Sequence, residues 1–426
     1  MIIAIIFGKL VFLVSKILKR SGSTWPGHIA LKTNSNIIKK IIQKNRHLKV
    51  VLIAGTNGKT TTNKALSYIL NIQGVSTISN NAGANLLNGI ASSLIYDVSL
   101  SGKSKKNAAI LEVDENTLPI LLTQIPTPEA IIILDLFRDQ LDRYGEVNAT
   151  ADKWKKSMEK LSDKTLVVAN ADDPLVCYTA SFAKKVSYFT IDNINKKQQQ
   201  LSHAVDSTTC PKCTSTLTYS AIAYSHLGNY KCTSCDFSTP KAKQYTFHTN
   251  LLGIYNFYNL TSAVLAADKV FGINPYTSTE SLKTFKPAFG RQEIVDRDGK
   301  KIMLLLSKNP TGFNESLKVA IENKTTHLLI LLNDRVPDGR DISWIWDVDF
   351  EMLKDSKIVV YVSGDRCYDM ANRLLFSGIT HSVFEAYEKA FERGLADTQI
   401  DKTLTILPTY SAMLEIRKHI FGKSIL

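Results

Sequence analysis

Acidic residues are missing from the first 96 positions, which hold 12 lysines and arginines before the first acid, Asp97. The remainder carries 40 basic and 39 acidic side chains, so nearly all of the formal net charge of +13 sits at the N-terminal end. Such a field favours an anionic partner (a nucleotide, a phospholipid surface, a pyrophosphate-linked substrate or a nucleic acid), and a plain solvated basic face is the alternative. Cysteine is scarce: four of the six lie in two CxxC pairs, and Cys177 and Cys367 stand alone. That pattern excludes the disulfide framework of a small secreted protein and fits a reducing cytosol. No internal repeat or low-complexity linker occurs. An apolar share of 44 % with 21 % charged residues excludes collagen, coiled coil and long disorder. Residues 1–15 are apolar but interrupted by Lys9, short of the ~20 apolar residues that span a bilayer. They lack the basic start and small-residue cleavage site of a secretory leader. Lys9, Lys16 and Arg20 share one helical face, so the segment reads either as an interfacial amphipathic helix or as a helix packed on the first domain.

The length of 426 residues calls for two or three domains. Residues 50–54 form a β-branched apolar run typical of a strand buried on both faces, and 61–70 read as a helix. Further buried strands are expected at 108–113, 130–134 and 166–169, separated by helical stretches, which implies a parallel, helix-covered sheet. Residues 205–245 break this alternation and look inserted. A helix is expected over 255–271, and a second α/β unit begins near Gly290, with strands at 301–306, 327–332, 357–362 and 403–408.

Between the first strand and its helix lies Gly55-Thr56-Asn57-Gly58-Lys59-Thr60-Thr61. The glycines let backbone N–H groups turn toward phosphates, Lys59 is placed to neutralise their oxygens, and Thr60 offers a hydroxyl to Mg²⁺ at a helix N-terminus. The loop is shorter than the GxxxxGK[ST] pattern, and its position between strand and helix gives it weight. A Mg²⁺ site also needs a carboxylate at the end of a neighbouring strand. Glu112 is the first choice; Asp114 and Glu115 are weaker candidates, with surface acids as the other reading. The two CxxC pairs, Cys210/Cys213 and Cys232/Cys235, are 18 residues apart, the spacing of a four-thiolate zinc ribbon. A closed four-cysteine site is structural, since it leaves no open coordination position.

The phosphate loop, Asn170-Ala171-Asp172-Asp173-Pro174, the helix start Gly253-Ile254-Tyr255-Asn256-Phe257-Tyr258-Asn259 and Gly290-Arg291-Gln292-Glu293 occur in the order of motifs in the Mur ligase family, which this chain resembles over most of its length. Tyr255 replaces the usual His of the third motif. The resemblance implies three domains: an N-terminal substrate-side α/β segment (1–48, with part of 71–105), a central P-loop ATPase domain (49–288) carrying the ribbon, and a Rossmann-like C-terminal domain (289–426). It implies ATP and Mg²⁺ as cofactors beside Zn²⁺. ATP contacts would come from Gly55 to Thr61 together with Asn256, Asn259 and Arg291. Transfer of phosphate from ATP to a substrate carboxylate, followed by amine attack, would rest on Lys59, Thr60 and Glu112. Substrate contacts fall on Asn81, Gly83 and Asn85 and on Arg138, with Gln140, Asp142 and Arg143 nearby; local salt bridges are the other reading of Arg138.

The motif that captures an incoming amino acid in the family is not evident here. The ribbon, and an acid- and Trp-rich stretch from Asn333 to Glu351, resemble instead the branch that amidates lipid II. That branch implies conversion of the D-glutamate α-carboxyl to an amide at the inner face of the cytoplasmic membrane. Its ammonia comes from a separate GatD-type glutaminase, whose catalytic His is oriented by an Asp of this chain, Asp347 first and Asp349 next. Trp344 and Trp346 read as interface anchors or as core. Two rivals remain: a stand-alone ligase adding an amino acid, as folylpolyglutamate synthases do, and a nucleic-acid-binding zinc-ribbon ATPase. The ribbon lacks a basic, aromatic strip, so no nucleic acid partner is expected.

Overall fold

The structure, a computed structural model, describes residues 1–18, 23–80, 83–139, 146–197, 201–202, 205–286 and 291–422. The chain opens with three helices, α1 (Ile2–Ile17), α2 (Trp25–Thr33) and α3 (Ile37–Lys44). The central unit follows: β1 (Lys49–Ala54), α4 (Lys59–Ile72), β2 (Thr77–Ser79), α5 (Leu87–Asp97), β3 (Ala108–Glu112), α6 (Thr117–Gln124) and β4 (Ala130–Ile133). It continues through α7 (Val147–Met158), β5 (Leu166–Asn170), α8 (Pro174–Ala180), β6 (Val186–Phe189), β7 (Leu217–Tyr224), β8 (Leu227–Cys232), α9 (Tyr255–Phe271) and α10 (Pro275–Leu282).

Six strands form a parallel sheet in the order β2-β3-β1-β4-β5-β6. The alternation of β1 explains its apolar run. Val50, Leu52 and Ala54 face a core shared with α1, α3, α5 and α7, whereas Val51 and Ile53 face one shared with α4, α9 and the ribbon strands. Strand order diverges on the two sides of β1, toward β3 and toward β4, and the crevice beyond the carboxyl end of β1 is where open α/β sheets bind ligands. The phosphate loop lies there.

Among the described residues, 1–48 hold three helices and no strand, and Ala4, Ile5, Ala30, Ile37, Ile38 and Ile41 enter the same core as the central sheet; β2 and α5 of 71–105 join that sheet and core. Forty-odd residues in three helices bury too little surface among themselves, so their inner faces close on the central unit instead.

The C-terminal unit comprises β9 (Arg291–Arg297), β10 (Lys300–Leu305), α11 (Pro310–Glu322), β11 (His327–Leu331), β12 (Val359–Ser363), α12 (Cys367–Phe376), β13 (His381–Val383), α13 (Tyr387–Asp397), β14 (Thr403–Pro408) and α14 (Tyr410–Phe421). Its sheet order is β13-β12-β11-β14-β10-β9, parallel except for β9. β9 was not expected from the hydrophobic pattern. It pairs antiparallel with β10 through Asp298-Gly299, both at positive φ, as a two-residue hairpin turn of this kind requires.

Candidate active site

Gly55 and Gly58 take φ values of +145° and +82°. A Cβ on Gly58 would stand 2.0 Å from Asn259 Oδ1, so the loop and α9 approach each other at a distance only glycine permits. Thr56 and Phe137 brace the loop from β4 through Thr56 Oγ1, which donates to the Phe137 carbonyl at 3.1 Å and accepts from the Phe137 amide at 3.0 Å. The Asn57 amide donates to Asp135 Oδ1 at 2.8 Å. Lys59 opens α4 and is buried; its Nζ donates to the Gly55 carbonyl, to the Thr56 carbonyl at 3.2 Å and to Glu115 Oε1 at 3.2 Å. Burial pulls the Lys59 ammonium down, but the carboxylates of Glu115, Asp114 and Asp139 more than offset it, and the net direction is up. Lys59 is therefore a firmly charged cation inside the site. Burial in turn raises the Glu115 carboxyl, against the opposing pull of Lys59.

Thr60 Oγ1 donates to Glu112 Oε2 at 2.8 Å, so the hydroxyl and the carboxylate expected to hold Mg²⁺ meet at one point. Glu112 ends β3 and is fixed there by Asn80. Its amide donates to Asn80 Oδ1 at 2.8 Å, and Asn80 Nδ2 donates to the Glu112 and Ala84 carbonyls at 2.9 and 2.8 Å. Asp114 and Glu115, the weaker ligand candidates, are both buried, which excludes their other reading as surface acids. The strand end carries them beneath the loop, where Lys59 supplies the counter-charge.

Asp135, at the end of β4, is a site residue that the sequence reading missed. Burial pushes its pKa up to about 7, against the Asn57 hydrogen bond and helped by the nearby Asp173. Its folded pKa thus exceeds that of an exposed Asp. The folded state binds the extra proton between about pH 4 and 7, and stability falls as pH rises through that window. Asp135→Asn is expected to melt a few degrees above wild type at pH 8 and to lose that advantage by pH 5, in thermal scans at both pH values.

The C-terminal unit closes over this loop. Asn309, which caps α11 by accepting from the Gly312 amide at 2.8 Å, donates through Nδ2 to Asn57 Oδ1 at 3.1 Å. Lys308 Nζ pairs with Asp139. Between the units lies a cleft lined by Asn57, Gly58, Asn256, Gln292, Gly312 and Glu315, among others. Asn256 lines the cleft, donating to the Leu252 carbonyl at 2.7 Å and accepting from Asn259 Nδ2 at 3.2 Å, while Asn259 lies behind it against Gly58. Gln292 holds the start of α9 by accepting from the Leu252 amide at 2.7 Å and donating to the Tyr255 hydroxyl at 2.8 Å. Arg291 begins β9. Gly83 approaches Tyr410, and the Asn85 carbonyl accepts from the Asp114 amide at 3.0 Å. Asn81, Gln140, Asp142, Arg143 and Gly290 lie outside the described residues.

Arg138 is engaged by carboxylates: its Nε is 2.5 Å from Asp206 and its Nη1 3.2 Å from Asp347 of the C-terminal unit. Asp349 is held differently. Its carboxylate accepts from Asn314 Nδ2 at 3.0 Å while its amide donates to Asn314 Oδ1 at 2.9 Å. Trp344 packs inward on Phe313, with ring centroids 5.9 Å apart. Trp346 is exposed and meets the exposed Phe376 edge-on at 5.4 Å.

The four ribbon cysteines converge, with sulfur separations of 3.7 Å (Cys210–Cys235), 3.4 Å (Cys213–Cys232) and 3.5 Å (Cys213–Cys235). A tetrahedral site with bonds of about 2.3 Å sets sulfurs ~3.8 Å apart, so the cluster fits a single ion such as zinc. The ribbon is bound to the central unit through Asp172. That buried carboxylate accepts from Lys196 Nζ at 2.8 Å, from Thr190 Oγ1 at 2.8 Å and from the Tyr258 hydroxyl of α9 at 2.7 Å, and Lys196 also donates to Asn229 Oδ1 of β8 at 2.7 Å. Asp173 caps α8, accepting from Leu175 and Val176 amides, and accepts from the Leu136 amide at 2.8 Å.

This arrangement has relatives. The Mur ligase middle domain matches residues 53–267, and the MurT ligase C-terminal domain matches residues 306–413. The MurT subunit of lipid II isoglutaminyl synthase (glutamine-hydrolyzing) from Staphylococcus aureus strain COL is 30 % identical over 431 residues, covering 96 % of this chain and 95 % of that protein. The Streptococcus pneumoniae R6 subunit of the same name is 31 % identical over 427 residues, covering 95 % and 93 %. The chain belongs to the MurT family of Mur ligases.

Solved structures share the MurT-type fold at lower identity. A pseudomurein peptide ligase type C from Methanothermus fervidus has a TM-score of 0.68 at 21 % identity, over 90 % of this chain and 81 % of that one. MurF ligase from Thermotoga maritima in complex with ADP has 0.65 at 14 %, over 93 % and 84 %. As a MurT-family Mur ligase the chain is an ATP-dependent ligase, and the family implies ATP and Mg²⁺. Thr60 and Glu112 supply the oxygen donors that suit that ion. No helix among the described residues is long and apolar enough to cross a membrane.

Proposed function

We propose that the protein is the synthetase subunit of a lipid II amidating enzyme. On this reading it converts the D-glutamate α-carboxylate of lipid II to the amide, using ATP and ammonia from a GatD-type glutaminase at the inner face of the cytoplasmic membrane. The observation that carries the reading is a buried Lys59 and a converging Thr60–Glu112 pair in a phosphate loop whose Asn57, Gly58 and Thr61 line a cleft against the MurT-type C-terminal domain. A substrate carboxylate oxygen attacks the γ-phosphorus and ADP leaves. Ammonia then attacks the acyl carbon, and phosphate departs with the carboxylate oxygen. Lys59 neutralises the phosphoryl oxygens, the loop amides hold the reacting groups in line, and Asn309 steadies the loop through Asn57. Mg²⁺, held by Thr60 and Glu112, would neutralise charge on the phosphates. Lipid II labelled with heavy oxygen in that carboxylate is expected to pass one label to inorganic phosphate; unlabelled phosphate beside amidated product would contradict the acyl phosphate route.

The C-terminal surface supports a partner. Trp346 and Phe376 form an exposed aromatic pair beside the turn bearing Asp347 and Asp349. A carboxylate that fixes the tautomer of a partner His must itself be fixed. Asp349, clamped by Asn314 on both its carboxylate and its amide, meets that need better than Asp347, which is drawn toward Arg138.

The ribbon is a structural zinc site on this reading. The purified chain is expected to hold about one zinc per molecule. Cys213→Ser/Cys232→Ser should lose it and melt several degrees lower, because Ala223, Tyr224 and Leu227 of the ribbon strands belong to the α4–α9 core. Metal analysis and a thermal scan check both.

A further inference from the structure

The outer face of α1 is apolar along its whole length and exposed. Positions 2, 3, 6, 7, 10, 13, 14 and 17, all Ile, Leu, Val or Phe, are exposed; Ile3 is 64 % and Ile17 70 % accessible. At 100° per residue they fill one stripe roughly 140° wide. The inner face is held tightly. Ala4 and Ile5 are buried, a Cβ on Gly8 would stand 3.0 Å from Ile95 Cγ2 and 3.2 Å from the Pro26 carbonyl, and Phe12 meets Tyr96 at 4.9 Å. The helix is therefore fixed on α2 and α5 and presents its stripe outward.

We propose that this face docks flat on an anionic phospholipid bilayer. A 16-residue helix is about 24 Å long, less than the ~30 Å hydrocarbon core, and its inner face is already committed, so it lies in the interface and does not span. Lys9 and Lys16 run along one edge of the stripe, at the level headgroups would occupy, and Trp25, 62 % exposed at the start of α2, is a ring type that settles at that depth. Charge selects the occupant. The first 96 residues carry 12 basic and no acidic side chains, so a second copy would bring two basic segments together whereas an anionic leaflet complements one. The docking surface is separate from the catalytic cleft and is tested without lipid II.

The full chain is mixed with vesicles of phosphatidylcholine alone or with added phosphatidylglycerol, and bound protein is recovered by flotation. Binding is expected to be at least about tenfold stronger to the anionic vesicles and to weaken in high salt. Phe7→Glu/Leu10→Glu should abolish it while leaving ATP turnover unchanged. Trp25 emission should shift to the blue on binding, a shift missing in Trp25→Phe. Failure of the wild type to float with anionic vesicles, or full binding by the double variant, overturns the proposal. So does a concentration-dependent dimer that the double variant abolishes, which would make the occupant a second copy.

Discussion

Lys59→Ala is expected to lower amidation by about a thousandfold or more with either glutamine or ammonium as nitrogen source, because the charge that Lys59 neutralises develops in the phosphoryl step common to both. Initial rates with each source check this. The substitution also removes the cation facing Glu115, leaving a buried carboxylate alone, a loss of up to ~3–5 kcal/mol for a broken buried pair. Stability and catalysis separate in Lys59→Ala/Glu115→Gln. That variant should regain most of the lost melting temperature and none of the activity. Recovery of activity with recovered stability would show that Lys59 acts through the fold.

Asp349→Asn is expected to leave the ammonium-driven reaction near wild type and to reduce the glutamine-driven reaction by about a thousandfold or more, as loss of a His-orienting carboxylate does in other triads. The same variant should lower glutamine hydrolysis by the paired glutaminase. Asp347→Asn removes the ion pair to Arg138 across the two units, so its effect should be smaller and alike for both nitrogen sources. Equal loss on both routes with Asp349→Asn, or a glutamine-specific loss with Asp347→Asn, would reverse the two roles.

Local chemistry made several elements readable. The β-branched run at β1 and the apolar run of α9 announced themselves because each is buried along its length, and α9 and β14 fall at the expected limits. The cysteine spacing led directly to the convergent sulfurs. Other features required the assembled chain. β9 is a polar edge strand whose only signal was the Asp298-Gly299 turn. Glu115 looks like a surface acid until β3 carries it under the loop, and Asp135 becomes a site residue only because β4 ends beside β1. Asn309 meets the phosphate loop at Asn57, and Lys308 meets Asp139, each across more than 160 residues of sequence, through the placement of one unit on another.

The most direct test of the central claim is mass spectrometry of lipid II after incubation with the purified chain, ATP, Mg²⁺ and ammonium. Exchange of one D-glutamate carboxyl OH for NH₂, dependent on ATP and absent with Lys59→Ala, is the predicted result. ATP consumption with lipid II unchanged, or with an added amino acid residue in place of the amide, would contradict it.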